Sequence, residues 1–152
     1  MREIIRKVPI PTAGVALGLA ALGNLLQPYT EIVHIVCGIL SLVLIAMLGA
    51  KIALFPDMIR DDLHNSIMAS VSATLFMTLM QLAGYLAPFA YIPAFALWSA
   101  AVVAHLALMG WFTARFISHF KRHEVFPTYF ICYVGIVVAS VTSPTFGMEA
   151  VG

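Results

Sequence analysis

Five long apolar runs, separated by short polar or proline-containing breaks, leave this chain few folds to choose from. They cover residues 11–27, 32–55, 65–86, 91–114 and 127–143. A bilayer core of about 30 Å is crossed by roughly 17–25 helical residues. All five runs fit, the first and fifth at the short end. Backbone N–H and C=O groups in lipid must be bonded within the chain, so each run is expected to be a helix. A strand barrel would need alternating segments of about ten residues, and these runs are continuous. Composition agrees. The 152 residues are 62% hydrophobic and 10% charged, against about 45–50% and roughly 25% in a soluble domain. The expected fold class is an all-α integral membrane protein with five transmembrane helices, forming one transmembrane domain over residues 1–152.

The breaks carry the charge. Gln27–Glu31 and Leu86–Phe89 are short turns around Pro28 and Pro88, and residues 55–64 form a longer charged connection that starts at Pro56. Residues 115–126 hold His119, Lys121, Arg122, His123 and Glu124. Short connections make consecutive helices antiparallel neighbours, so hairpins are the natural unit. Lysine and arginine occur at 2, 6, 7, 51, 60, 115, 121 and 122. With the N-terminus in the cytoplasm, all eight fall on the cytoplasmic side or within snorkelling reach of it. Cytoplasmic loops are the ones enriched in Lys and Arg. The expectation is a multi-pass protein of the cell membrane, N-terminus inside. A secretory signal peptide at the start is disfavoured: Pro9, Pro11, Gly14, Gly18 and Gly23 interrupt the apolar stretch. No basic patch is interleaved with aromatics, so nucleic acid is not an expected partner. The lipid bilayer is.

The third run holds the clearest pattern. Ser66, Ser70, Thr74, Thr78 and Gln81 recur at steps of three or four, which is one helix face. Such a stripe either walls a substrate pathway or supplies interhelical hydrogen bonds. In the first run Pro11, Gly14, Gly18 and Ala21 share a face; close helix packing is the first expectation, room for a lumen the other. The fifth run has a similar small face at Pro127, Thr128, Cys132, Gly135 and Ala139. Pro144 is expected to end or kink that helix. The second and fourth runs carry bulkier residues. This contrast suggests an inner ring of odd helices and a lipid-facing ring of even ones.

Few groups here invite catalysis. His105, mid-span, is expected to bond to a neighbouring helix, and His34 to pair with Glu31 one turn away. His119 and His123 have a spacing that binds metal, but only two ligands are visible. Cys37 and Cys132 lie at different depths and are expected to be buried free thiols. No Ser/His/Asp set, phosphate-binding glycine loop or Cys-x-x-Cys occurs. Neither an enzyme nor a cofactor is expected.

Residues 8–24 (VPIPTAGVALGLAALGN) resemble the opening helix of the tellurite-resistance/dicarboxylate transporter family. That family includes the bacterial TehA-like proteins and the plant slow anion channels. Residues 126–139, from Phe126-Pro127-Thr128 through Gly135 to Ala139, resemble its fifth helix. The resemblance implies half of a ten-helix, five-hairpin pore fold whose odd helices face the pore, commonly as a homotrimer. It implies transport of inorganic anions or small C4-dicarboxylates. The family's gating phenylalanine lies on a later helix, so no residue here inherits it. Five helices then read as a fragment, or as half completed by a second chain. Gly14, Gly18, Ser66, Ser70, Thr74, Thr128 and Gly135 are the expected pore lining. Hydroxyls and exposed backbone solvate an anion without fixing it, which favours conduction. Two other classes stand beside this one. A haem or redox membrane protein would use His34, His64 or His105, yet these sit at different depths. A membrane interaction subunit would transport nothing.

Overall fold

The computed structural model describes residues 2–117 and 126–148. Among them there are helices and turns but no strand. Helices α1 (Arg2–Lys7), α2 (Thr12–Leu26), α3 (Glu31–Leu54) and α4 (Pro56–His64) come first. Next are α5 (Ser66–Val71) and α6 (Ala73–Leu86), then α7 (Tyr91–Phe112) with a π-helical turn at Thr113–Ile117. The described chain closes with α8 (Tyr129–Val134), α9 (Val137–Thr142) and a 3-10 turn at Ser143–Phe146. His119, Lys121, Arg122, His123 and Glu124 lie outside the described residues.

Among the described residues, four helical segments are long and apolar enough to cross a membrane: Glu31–Leu54, Ser66–Leu86, Tyr91–Phe116 and Tyr129–Phe146. The helix of the first run, Thr12–Leu26, is shorter, at 15 residues. Two spans are jointed. α5 and α6 meet at Ser72, whose Oγ donates to the Ala69 carbonyl while Leu75 N bonds Ser72 O, a 3-10 spacing. A serine hydroxyl that bonds back into the preceding turn bends a helix. α8 and α9 meet at Gly135, where Val138 N→Gly135 O and Ala139 N→Ile136 O have the same tighter spacing. The α-helix ends at Thr142, just before Pro144, and a 3-10 turn carries the span on to Phe146. Gly147, with φ 70°, ends it: Met148 N reaches back to Ser143 O and Gly147 N to Pro144 O. A left-handed glycine with paired return bonds is how many helices stop.

The two tight turns are copies of each other. In Leu26-Gln27-Pro28-Tyr29-Thr30 the amides of Tyr29 and Thr30 both bond the Leu26 carbonyl at 3.0 Å. In Leu86-Ala87-Pro88-Phe89-Ala90 those of Phe89 and Ala90 bond Leu86 in the same way, also at 3.0 Å. Thr30 and Ala90 are extended at φ −154° and −153° and start the next helix. Each turn closes a hairpin, α2 on α3 and α6 on α7. Proline suits the turn because its fixed φ and missing N–H stop the outgoing helix there. α6 also packs on α2 and α9, so it sits in the middle.

Burial follows this arrangement. The third span is 44% buried and the last 33%, against 28% for Glu31–Leu54 and 22% for Tyr91–Phe116. α3 exposes Ile32, Ile35, Ile39, Leu40, Leu42 and Val43, and α7 exposes Ile92, Val103 and Leu106. An apolar surface of that extent suits lipid rather than water. One core cluster gathers Met80, Ala83, Ala94, Trp98, Ala101, Ala139 and Phe146. There Trp98 Nε1 donates to Thr142 Oγ1 at 2.8 Å, in full burial. Thr142→Val removes that acceptor and keeps the shape. Interhelical hydrogen bonds in membranes average ~0.6 kcal/mol with a maximum near 1.7. A loss of about 1 kcal/mol is expected in reversible unfolding from detergent micelles, with a changed Trp98 emission.

Candidate functional site

α2 presents two faces of small residues, and the structure uses them oppositely. Ala13, Ala16, Ala20 and Gly23 are buried. At these positions no bulky side chain covers the backbone, so the carbonyls accept from neighbouring helices. Thr78 Oγ1 donates to Ala13 O (3.1 Å), Ser41 Oγ to Ala16 O (2.8 Å) and Tyr85 OH to Ala20 O (2.8 Å). His34 Nδ1 donates to Gly23 O (3.2 Å). The four acceptors step along one face at intervals of three, four and three. Two donors come from α3 and two from α6.

The other face is open. Pro11, Gly18 and Ala21 are exposed and Gly14 is half-buried. A Cβ added at Gly14 or Gly18 would meet nothing within 4 Å. Among the described residues, the close packing expected first for this face is not seen at Gly14 or Gly18. The packed face lies opposite, where α3 and α6 supply hydrogen-bond donors.

The stripe on the third span resolves into bonded hydroxyls. Ser70 Oγ donates to Ile67 O and Thr74 Oγ1 to Val71 O, both within their own helix. Thr78 Oγ1 donates to Thr74 O as well as to Ala13. Gln81 accepts from the Asn24 amide, which joins α6 to α2. Ser70, Thr74, Thr78 and Gln81 are all buried, while Ser66 is half-buried at the start of α5. Thr78 and Gln81 make the interhelical bonds that one reading of the stripe expected, whereas Ser70 and Thr74 bond only within their own helix.

The fifth span divides in the same way. Thr128 precedes α8, half-buried, and its Oγ1 has no hydrogen-bond partner among the described residues. Gly135 is buried against α6 and α7: an added Cβ would lie 2.7 Å from His105 Cε1 and 2.8 Å from Met77 Sδ. His105 Nε2 donates to the Cys132 carbonyl at 3.0 Å, the interhelical bond expected of it. Cys37 and Cys132 are both free and buried. His34 does not face Glu31. It stacks on Tyr85, with ring centres 4.0 Å apart and planes 5° apart, because its ring turns inward to reach Gly23 O.

Of the seven expected lining residues, Gly14 and Gly18 share the open face of α2. Ser66 and Thr128 stand half-buried where the third and fifth spans begin. Ser70, Thr74 and Gly135 lie inside helix contacts. Sequence reasoning missed the Tyr85 cluster, in which Tyr85 closes on Gly23 and Gly38 of the first hairpin.

No group of three or more His, Cys, Asp or Glu fit to hold a metal occurs among the described residues. No curated protein matches the chain. The sequence profile of the voltage-dependent anion channels matches residues 7–151. That match takes in every helix from α2 onward, and the helices carry the apolar outer surface of a multi-pass membrane protein; the chain belongs to the voltage-dependent anion channel family.

Proposed function

We propose that this chain forms part of a membrane pathway for small anions, and that the open face of α2 is its wall. The observation that carries this reading is the glycine face at Gly14 and Gly18, left uncovered while the opposite face is fully bonded. Exposed backbone and small residues give an anion partial positive charge without a fixed partner, and weak binding lets it leave again. Ser66 and Thr128 add hydroxyls at the ends of the two neighbouring inner spans. Ser70, Thr74 and Gly135 stand one layer behind, where they hold the third and fifth spans in place. In this reading α2 crosses the bilayer with the four longer spans, N-terminus in the cytoplasm. Arg6 and Lys7, both exposed, then raise the local anion concentration at the inner mouth. Helices that face α2, from another part of the fold or from other copies in a trimer, complete the wall. Inorganic anions and C4-dicarboxylates are the substrate classes to compare.

The test is flux in liposomes that contain the reconstituted protein, with chloride, nitrate, sulfite and a C4-dicarboxylate offered in turn. Gly18→Leu and Gly14→Leu place a branched side chain in open space. Stability is expected to stay within about 0.5 kcal/mol, as for other uncrowded sites. A side chain that adds about 1.4 kcal/mol to the barrier cuts flux roughly tenfold. No flux of any of these anions, or full flux in both variants, rules this pathway out.

A further inference from the structure

Away from the α2 face, a pocket of about 220 Å³ opens between α4 and the end of α7, lined by Arg60, Leu63, His64, Trp111 and Arg115. Two pairs at a spacing of four residues make it: Arg60 and His64 on α4, Trp111 and Arg115 along α7 and its π-turn. That spacing puts each pair on one helix face. Both arginines are exposed, and among the described residues no carboxylate lines the pocket. Asp61 follows Arg60 directly in the chain and is exposed, but it does not line the pocket; Asp62 turns to Lys51 at 3.7 Å. His64 Nδ1 donates to the Arg60 carbonyl at 2.7 Å, which fixes the ring. Leu63 forms an apolar floor and Trp111, 40% exposed, an apolar wall.

The position in the fold narrows the ligand. Trp111 and Arg115 sit in the last turns of the span Tyr91–Phe116, the least buried of the four. Tryptophan and arginine at a span end occupy the headgroup layer. A basic pocket between helix ends at that level meets lipid phosphates first. The volume admits a phosphate with its glycerol but falls below the usual range for drug-sized ligands, about 300–1,000 Å³. We propose that this pocket binds the phosphate headgroup of an anionic phospholipid from the cytoplasmic leaflet. Arg60 and Arg115 would clasp the phosphate, with the glycerol against Trp111 and Leu63. Arginine forks suit phosphate oxygens better than a point charge does.

Native mass spectrometry of the whole chain in detergent, titrated with phosphatidylglycerol or phosphatidylcholine, tests this without any transport assay. Retention of phosphatidylglycerol is expected to exceed that of phosphatidylcholine roughly tenfold, the worth of one charge-assisted bond. Arg60→Gln combined with Arg115→Gln is expected to abolish the preference. Both residues are exposed, so the fold is not at risk. Arg6→Gln changes a cation elsewhere and is expected to leave the preference unchanged. Equal retention of the two lipids, or equal loss in Arg6→Gln, overturns the proposal. Displacement of phosphatidylglycerol by inorganic phosphate at similar concentration would make the site one for a free anion, and overturns the assignment to lipid.

Discussion

Gly38→Ala is expected to destabilise the protein by about 1–3 kcal/mol, the usual cost of a methyl forced into a filled core. The methyl would sit 2.6 Å from Tyr85 Cε1 and 2.7 Å from Cδ1. The ring has nowhere to go. His34 stacks on it, and its hydroxyl is held by the Ala20 carbonyl at 2.8 Å. Gly23 closes the same notch, since a Cβ there would run into the Tyr85 hydroxyl oxygen. Two glycines on adjacent helices thus make room for one tyrosine from a third. A double-mutant cycle checks the cause. In a Tyr85→Leu background, Gly38→Ala is expected to cost well under half as much, because the clash partner is gone. An undiminished cost would place the strain in the α3 backbone instead. The readout is reversible unfolding in micelles.

The second large effect concerns Lys51. Its side chain is 5% exposed, and Nζ donates to the Val8 carbonyl at 2.8 Å with Asp62 Oδ2 at 3.7 Å. Three segments meet on one ammonium: the chain that leads into α2, the end of α3, and α4. The cation also lies in the last turn of α3, where a helix favours positive charge. Lys51→Met keeps the stem and deletes the charge. A hydrogen bond to a charged group contributes about 1.5–3 kcal/mol, so a loss near the middle of that range is expected. Hydrogen exchange should rise selectively in α4 and around Val8. Asp62→Asn is expected to do far less: that side chain is 38% exposed, and exposed pairs contribute about 0–1 kcal/mol. If the two variants prove equal, the ion pair rather than the Val8 bond holds the joint.

Much of the fold was legible because lipid imposes it. Long apolar runs have no folded alternative to helix at membrane depth, and Pro28, Pro56 and Pro88 mark where helices must break. His105 was legible as well, since a buried imidazole on a span needs a neighbour's carbonyl. Other features were hidden for physical reasons. A serine inside a helix reads the same whether it stands at a joint between two helices, as Ser72 does, or inside one, as Ser70 does. Tyr85 gives no sign in the sequence of which glycines it will cover. The pocket between Arg60 and Arg115 joins residues 55 positions apart in the chain, so no local pattern marks it.

The sequence by itself determined that the chain dissolves in a bilayer, that its runs are helices, and that two like proline turns close its hairpins. Those outcomes rest on solvent and backbone bonding, which depend only on local composition. Tertiary structure alone decided which side of α2 is inside. Both of its faces are small, so helical periodicity could not separate Ala13-Ala16-Ala20-Gly23 from Pro11-Gly14-Gly18-Ala21. The choice fell to the neighbours: Thr78, Tyr85, Ser41 and His34 carry donors that must be satisfied away from water, and the carbonyls of the first face lie within their reach. No neighbour among the described residues comes within 4 Å of a Cβ at Gly14 or Gly18, and that face stands open.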